Sequence, residues 1–162
     1  MGFFQKFLGK TKTELCAPVS GAVIPLNQVS DPTFGTEMVG KGVAIRPAAG
    51  AIVAPCTGKV DMVFETGHAI TLIADCGAEI LIHVGLDTVN LKGEHFSVKA
   101  KPGQKVMKGE LLLEFDREAI AEAGYDTVTP MVVCNPEHFG TFETYTGKVV
   151  IAGDPVIGLA SR

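Results

Sequence analysis

Short apolar runs separated by glycine and proline make up the chain from Leu15 onward, with little of the 3.6-residue periodicity of amphipathic helices. The most regular part is the segment 66–85, in which two apolar runs flank the polar break Asp75-Cys76-Gly77. Short apolar runs bounded by turn-forming residues are typical of β-strands. The pattern therefore predicts an all-β fold, an antiparallel β-sandwich or barrel.

Two pairs of segments repeat one another in sequence. Residues 17–23 (APVSGAV) are echoed by 54–60 (APCTGKV), and residues 106–113 (VMKGELLL) by 150–157 (VIAGDPVI). We therefore expect an approximate internal duplication of the β-fold. The alternative is a chance similarity of turn chemistry, since glycine, proline and small polar residues recur in turns.

One helix is predicted after the N-terminal segment, near residues 117–123. Asp116 can cap its first turn, and Gly124 can end it in a left-handed conformation. No linker or low-complexity stretch divides the rest of the chain. We therefore expect a single β-domain spanning residues 15–162, preceded by a tail of residues 1–14.

The tail carries apolar residues at helical spacing, with lysines nearby (Phe3, Phe4, Phe7 and Leu8; Lys6, Lys10 and Lys12). A short amphipathic helix of this kind would hold residues 3–12 against an anionic membrane surface. The alternative is a tail without regular structure, because isolated helices of this length are marginal in water.

Two histidines are predicted to face one another across the hairpin of segment 66–85. If residues 74–77 form an even-length loop, Ile73 faces Ala78 and the same register sets His68 opposite His83. Facing side chains on neighbouring strands have Cβ atoms about 4.5–5.5 Å apart. A three-residue loop would shift the register by one residue and turn one histidine to the other face of the sheet.

The composition is that of a globular domain without the charge that nucleic-acid binding favours. Of 162 residues, 46% are hydrophobic, and the formal net charge is -4, whereas nucleic-acid-binding domains present a basic face. The N-terminus lacks the long apolar core and cleavage site of a secretion signal, so we expect a cytoplasmic protein. The four cysteines lack the C-x-x-C spacing of zinc knuckles, and we expect reduced thiols.

The histidine pair admits four interpretations, of which the first is two structural histidines. The second is a metal site, which would need three or four ligands, and His95 and His138 have no evident register with the pair. A metal would therefore be held only with a ligand from a partner. The third is a hydrolase triad, which would need a nucleophile elbow such as G-x-S-x-G that this sequence lacks.

The fourth interpretation is nucleophilic catalysis by histidine itself. Neutral imidazole has a lone pair that can attack phosphorus, and the N–H of a neighbouring imidazole can bond a phosphoryl oxygen. The hydroxyl of Thr66 could fix the tautomer of that neighbour. Since the sequence has no nucleotide-binding G-x-x-x-x-G-K-[ST], the phosphoryl group would come from another protein.

Several motifs resemble those of the glucose-family enzyme IIA proteins of the bacterial phosphotransferase system. The segment 80–96, ILIHVGLDTVNLKGEHF, is similar to the phosphorylation-site signature of that family. Further matches are found in four segments: 31–34 (DPTF), 38–47 (MVGKGVAIRP), 64–68 (FETGH) and 102–110 (PGQKVMKGE). The similarity covers nearly the whole domain. The family's antiparallel β-sandwich agrees with the strand prediction.

The resemblance implies a role for each matching residue. His83 would accept the phosphoryl group, His68 would support it as the second active-site histidine, and Thr66 would add a hydroxyl to their hydrogen-bonded shell. An apolar rim with acidic residues at its edge would dock partners (Phe34, Val39, Phe64, Val89, Asp31 and Asp87). Family members often have an aromatic residue where this chain has Ile70 and Leu81, so the partner contacts would differ in detail.

The function implied by the resemblance is that of a phosphotransferase component that requires no cofactor. It would take a phosphoryl group from the carrier protein HPr and pass it to a cysteine on an enzyme IIB domain of a membrane sugar transporter. Regulatory binding of metabolic enzymes or permeases through the same apolar face is a second, compatible function. A zinc hydrolase on a related duplicated β-scaffold is a third alternative, which the missing H-x-H disfavours.

Overall fold

The computed structural model describes residues 12–162, which form mostly β-structure. The strands are β1 (Lys12–Cys16), β2 (Gly21–Pro25), β3 (Lys41–Pro47), β4 (Ala51–Val53), β5 (Gly58–Val63), β6 (Ala69–Ala74), β7 (Glu79–His83), β8 (Phe96–Val98), β9 (Lys105–Val106), β10 (Leu111–Phe115), β11 (Thr129–Val133), β12 (Phe139–Thr144), β13 (Lys148–Val150) and β14 (Pro155–Ser161). The helical segments are α1 (Pro32–Gly35), α2 (Arg117–Glu122) and three 3-10 turns (Leu26–Gln28, Thr88–Leu91 and Pro136–His138).

Both α-helices begin at an aspartate whose side chain caps the first turn. Asp116 accepts a bond from Ala119 N at 3.1 Å and starts α2, the helix predicted near residues 117–123. Asp31 accepts from Thr33 N at 2.9 Å and starts α1, a single turn that the sequence pattern did not predict. Neither helix of residues 12–162 is long and apolar enough to cross a membrane.

The strands of residues 12–162 form three sheets, and each strand pairing in them is antiparallel. The large sheet has the order β13-β2-β3-β11-β7-β6-β5-β9, and the two small sheets have the orders β1-β14-β12 and β4-β10-β8. The predicted all-β, antiparallel fold is therefore confirmed.

The sequence echoes occupy equivalent positions in the large sheet. The two copies of the first echo end in strands β2 and β5. Edge strand β13 pairs with β2, and edge strand β9 pairs with β5. Ala17 bonds through its backbone to both residues of the turn 153–154, at 3.0 and 2.7 Å. Ala54 makes the same two bonds to the turn 109–110, at 2.9 and 2.8 Å. This matching geometry is the internal duplication that the repeats predicted.

The central strands of the large sheet are buried on both faces. In β7, Ile80 and Ile82 belong to the main hydrophobic core, whereas Leu81 belongs to a second, smaller core on the opposite face. The segment 26–35 covers that second core with Leu26, Val29 and Phe34. Because strand side chains alternate between faces, His83 lies on the same face as Leu81. The second core therefore forms the floor beneath this histidine.

The predicted boundary between a tail of residues 1–14 and a domain of residues 15–162 falls inside a strand. Strand β1 begins at Lys12 and pairs with β14, with Thr13 opposite Leu159. The first residues of β1 are polar and gave no apolar alternation, but an edge strand needs only backbone partners. The amphipathic helix or unstructured tail considered for residues 3–12 lies outside the described residues, except for Lys12.

Candidate functional site

Two histidines lie together at one end of β6 and β7. Their imidazole rings meet edge to face, with ring centroids 4.7 Å apart and ring planes at 81°. His83 is the last residue of β7, and His68 directly precedes β6. The two imidazoles therefore share one site at the edge of the second core.

The hairpin that joins these strands has a register one residue away from the predicted one. Ala69, not His68, lies opposite His83, and Ile73 lies opposite Glu79. The predicted even-length loop is therefore wrong, because an odd number of residues separates the paired ends. Strict alternation in this register would send the side chains of residues 68 and 83 to opposite faces of the sheet.

A backbone bend before β6 brings the two histidines back together. His68 lies in this bend, and its carbonyl accepts a hydrogen bond from Val84 N at 2.7 Å. Gly67 beside it has a φ of +72°, in the left-handed region that glycine occupies without steric cost. Because regular alternation begins only at Ala69, the side chain of His68 is free to turn toward His83.

One hydrogen bond determines the tautomer of His83. Its Nδ1 lies 2.8 Å from the carbonyl oxygen of Gly85. A carbonyl oxygen can only accept, so Nδ1 carries the proton and the neutral ring has its lone pair on Nε2. Gly85 has a φ of +77°, and a Cβ there would lie 2.6 Å from Thr88 Cγ2. The backbone that holds His83 thus requires glycine at this position.

The second histidine is almost fully buried and has its own hydrogen-bond partner. His68 is 2% exposed, and its Nδ1 lies 2.7 Å from Thr66 Oγ1. Burial, together with the neighbouring His83, lowers the pKa of His68 to about 4. This imidazole is therefore neutral at physiological pH.

The pKa of His83 is also lowered, chiefly by burial. Three groups oppose this shift, because the Gly85 carbonyl and the carboxylates of Asp31 and Asp87 favour the protonated ring. The pocket therefore keeps His83 neutral, while the groups around it would stabilise a positive charge that develops on the ring.

Aromatic rings surround the pair and limit its contact with water. The ring centroid of Phe34 lies 5.0 Å from that of His83. The centroids of Phe64 and Phe96 lie 5.5 and 6.5 Å from that of His68. Phe96 is an addition to the residues named from the sequence. A wall of this kind keeps water away from the imidazoles on the sides that the rings cover.

The four apolar residues expected on a docking rim differ in exposure. Val89 is 49% exposed, whereas Val39 and Phe64 are half-buried and pack against the second core. Phe34 is 4% exposed, so it forms part of the wall of the site and contributes little to an exposed rim. This burial follows from the packing of α1 onto Leu26 and Val29, and a docking role for Phe34 stays a prediction.

The two acidic residues expected at the rim differ from each other in exposure. Asp87 is exposed and precedes the 3-10 turn that carries Val89. Asp31 is half-buried, and its carboxylate caps α1. Asp31 therefore has a structural task that sequence reasoning missed, in addition to its electrostatic effect on His83.

Two imidazoles are the candidate metal ligands that the described residues bring together at this site. Among residues 12–162, no group of three or more histidine, cysteine, aspartate and glutamate side chains is close enough to hold one. The pair of imidazoles would thus need at least one more ligand from another molecule.

Sequence reasoning did not single out two residues that bond to His83 or to the backbone beside it. Gly85 accepts the bond from its Nδ1, and Thr88 is a fully buried hydroxyl residue that bonds the carbonyl of Val84. The signal for Gly85 was a glycine directly after an apolar strand, where a close backbone approach is common. Thr88 had no comparable signal, because its burial depends on how the chain folds after β7.

A family model and curated relatives identify the family of the chain. The family model described as phosphoenolpyruvate-dependent sugar phosphotransferase system, EIIA 1, matches residues 13–139. The glucose-specific EIIA component of Buchnera aphidicola subsp. Acyrthosiphon pisum is 42% identical over 157 residues, which cover 97% of each chain. The β-glucoside-specific EIIBCA component of Dickeya chrysanthemi is 46% identical over 145 residues, 90% of this chain and 23% of that protein.

A solved structure gives the same assignment. The glucose permease IIA from Mycoplasma capricolum superposes with a TM-score of 0.86 at 33% identity, covering 91% of this chain and 96% of that one. The chain therefore belongs to the EIIA family of the phosphoenolpyruvate-dependent sugar phosphotransferase system. It is a phosphotransferase component and serves as a phosphocarrier in sugar transport.

Proposed function

We propose that this EIIA chain carries its phosphoryl group on Nε2 of His83, receives it from phosphorylated HPr and passes it to a cysteine of an EIIB domain. The observation that carries the proposal is the 2.8 Å bond between His83 Nδ1 and the Gly85 carbonyl, which leaves the Nε2 lone pair for phosphorus. Burial supports it further, because a neutral imidazole is the nucleophilic form.

In the first step, the Nε2 lone pair of His83 attacks the phosphorus atom of the donor's phosphohistidine. The donor's phosphorus–nitrogen bond breaks, and its electron pair returns to the donor imidazole. The new bond leaves a positive charge on the His83 ring, whose Nδ1 proton stays bonded to Gly85. The carboxylates of Asp31 and Asp87 favour this charge.

The role proposed for His68 is to donate a hydrogen bond to the phosphoryl group. If the hydroxyl of Thr66 donates to His68 Nδ1 across their 2.7 Å contact, the proton of the neutral ring lies on Nε2. That N–H is available for a phosphoryl oxygen, where negative charge collects during transfer. The lowered pKa of His68 supports this role, because the ring then acts as a neutral donor with a fixed tautomer.

In the second step, a cysteine thiolate of EIIB attacks phosphorus, and the electron pair of the phosphorus–nitrogen bond returns to His83 Nε2. An EIIB partner is supported by the EIIBCA relatives, whose names join EIIA and EIIB in one chain. Val89 offers an exposed apolar contact beside the site, and Asp87 offers a negative charge for a basic donor surface. Transfer in the cytoplasm, with neither metal nor cofactor, completes the proposal.

Regulatory binding is a second candidate for the same surface. Met38 and Val89 are 76% and 49% exposed, so their apolar side chains are accessible to a partner. A phosphoryl group on His83 would add negative charge at this surface, and partners of the unphosphorylated form would then dissociate.

The test is a phosphotransfer assay with phosphoenolpyruvate, the enzyme that uses it to phosphorylate HPr on histidine, HPr and the full chain, run with and without a chelator. We expect one acid-labile, base-stable phosphoryl group, which is lost in His83→Ala and kept in the control His138→Gln, an exposed histidine outside the site. Label on His83→Ala, or label mapped to another residue, would overturn the proposal. Loss of transfer in the chelator would show that a metal is required.

A further inference from the structure

We propose that Thr88 is a positioning residue for the phosphoryl transfer, acting on His83 through the turn Val84-Gly85. The inference rests on the proposed function of His83. Thr88 is a polar residue with 0% exposure, and its Oγ1 donates to the carbonyl of Val84 at 2.5 Å. Its side chain contacts no reacting atom and bonds the backbone next to the nucleophile.

The methyl group of Thr88 contacts the same turn as its hydroxyl. A Cβ on Gly85 would lie 2.6 Å from Thr88 Cγ2 and 3.4 Å from its Oγ1. The side chain thus packs directly against the glycine whose carbonyl holds His83 Nδ1. Both branches of the threonine are used, one to bond the Val84 carbonyl and one to fill the space that glycine leaves open.

The backbone N–H groups of residues 84–86 donate hydrogen bonds to carbonyls outside this turn. Val84 N donates to His68 O at 2.7 Å, Gly85 N to Val128 O and Leu86 N to Asp126 O, both at 3.0 Å. Within residues 12–162, Thr88 and His83 are the two side chains that bond the backbone of residues 84–86. Thr88 therefore supplies the one side-chain anchor of the turn besides the histidine that the turn must orient.

The orientation of the Gly85 carbonyl decides which nitrogen of His83 can react. While this carbonyl accepts from Nδ1, the lone pair stays on Nε2. If the peptide rotates, the bond lengthens and the other tautomer, with the proton on Nε2, becomes accessible. Gly85 has no side chain and a φ of +77°, so its own conformational preferences oppose such rotation little. Thr88 restricts that freedom.

The test compares three variants with the unsubstituted chain. Thr88→Val keeps the size and loses the hydroxyl, whereas Thr88→Ser keeps the hydroxyl. The matched control is Thr129→Val, since Thr129 is also fully buried and donates to a backbone carbonyl, that of Thr127 at 3.0 Å. The measurements are the nitrogen chemical shifts of the imidazoles, which report the tautomer, and the kcat and KM for phosphoryl transfer from phosphorylated HPr.

We expect Thr88→Val to shift His83 toward the other tautomer and to lower kcat about tenfold with little change in KM, because a small misplacement of the nucleophile is costly. Thr129→Val should keep the original tautomer and rate. Thr88→Ser, which keeps the hydroxyl but loses the methyl contact with Gly85, should keep the tautomer and lose less rate than Thr88→Val. A folded Thr88→Val protein with an unchanged tautomer and rate would overturn the proposal. If that variant does not fold, an unsubstituted chain whose His83 lacks a proton on Nδ1 would overturn it.

These outcomes are separable from those of the proposed function. The tautomer of His83 is measured without any phosphoryl donor, so it can respond to Thr88 even in a chain that HPr does not phosphorylate. An unsubstituted chain that is not labelled on His83 would contradict the proposed function. A chain labelled on His83 with a tautomer indifferent to Thr88 would contradict only the present inference.

Discussion

The ring centroids of His68 and His83 lie 4.7 Å apart, and the Nδ1 atoms of the two rings have different hydrogen-bond partners. The partner of His83 is the carbonyl of Gly85, which can only accept a hydrogen bond. The partner of His68 is the hydroxyl of Thr66, which can also donate. Two chemically identical side chains can therefore take unequal parts, one as a nucleophile and one as a hydrogen-bond donor.

Replacing His68 with glutamine should separate acceptance of the phosphoryl group from its onward transfer. His68→Gln keeps His83 and its bond to Gly85, so the variant should still be labelled by phosphorylated HPr. Transfer to EIIB should slow by about 100-fold, because the flexible glutamine amide does not hold a donor where the imidazole N–H lies, and a missing donor to a developing negative charge has this order of effect. Single-turnover transfer from the purified phospho form measures this, with His138→Gln as the control. A normal onward rate would remove His68 from the mechanism.

Thr66 should matter through its hydroxyl alone. Thr66→Val removes the partner of His68 Nδ1 and should slow onward transfer about tenfold, the order expected from a misplaced catalytic group. Thr66→Ser keeps the hydroxyl and should restore most of the rate. The comparison is made in the single-turnover assay, and nitrogen chemical shifts of His68 report its tautomer. Equal rates in both variants would mean that this hydrogen bond has no part in transfer.

The free energy of unfolding should decrease as the pH falls, and part of this decrease should come from His68. Its pKa is about 4 in the folded protein and about 6.5 when unfolded, so between these values the unfolded chain binds more protons. The contribution of His68 to the free energy of unfolding is fully present above about pH 6.5 and is lost as the pH falls toward 4. At 1.36 kcal/mol per pKa unit, the total loss is roughly 3 kcal/mol.

This dependence is measured by denaturant unfolding at several pH values. His68→Gln should show a shallower loss of stability between pH 6.5 and 4 than the unsubstituted chain, because the titrating group is gone. His138→Gln, which removes an exposed histidine, should keep the original slope. Parallel curves for all three proteins would contradict a buried, neutral His68.

Local patterns predicted the fold well because each was confined to neighbouring residues. The apolar runs marked the strands, Asp116 marked the start of α2, and the repeats at Ala17 and Ala54 marked equivalent bonds in the two halves. The domain was predicted to begin at residue 15, inside β1, because the first residues of this strand are polar. The place of β1 depends on pairing with β14, which is more than 130 residues away in sequence.

The proximity of His68 and His83 was predicted correctly, but from a wrong register. The turn after Ala74 looked even in length, but Asn135, distant in sequence, donates through its side chain to Gly77 O and accepts from Glu79 N. A tertiary contact of this kind has no local signal. The bend that turns the side chain of His68 toward His83 was not predicted either, although Gly67 indicated where the strand could end.

The apolar residues of the site include an exposed one, Val89, and a buried one, Phe34, and mutations should affect them differently. Val89→Ala removes a half-exposed side chain, so the free energy of unfolding should change by less than about 0.5 kcal/mol, while the KM for phosphorylated HPr rises. Phe34→Ala removes a buried ring and should destabilise the fold by about 3–5 kcal/mol.

Denaturant unfolding and transfer kinetics together test this division. Ser97→Ala serves as the control for a surface change, since Ser97 is exposed and lies in strand β8. A Val89→Ala protein with unchanged KM would mean that partners do not dock on this residue. A Phe34→Ala protein of full stability would contradict the burial of the ring.

Asn135 should hold the register of the β6–β7 hairpin. Its side chain is 5% exposed and bonds Glu79 N at 2.9 Å and Gly77 O at 3.0 Å. Asn135→Ala leaves a backbone donor without a partner and should lower the free energy of unfolding by about 1–3 kcal/mol. The matched control Asn27→Ala changes an exposed asparagine of the 3-10 turn and should have little effect.

Hydrogen exchange then shows where the Asn135→Ala change acts. Amides of the hairpin turn should exchange faster than in the unsubstituted chain, whereas those of β2 and β3 should not change, because the lost bonds lie only at the turn. The transfer rate measured at His83 should stay close to the original, since the turn is at the far end of the hairpin. Uniformly faster exchange, or unchanged stability, would show that Asn135 does not set this turn.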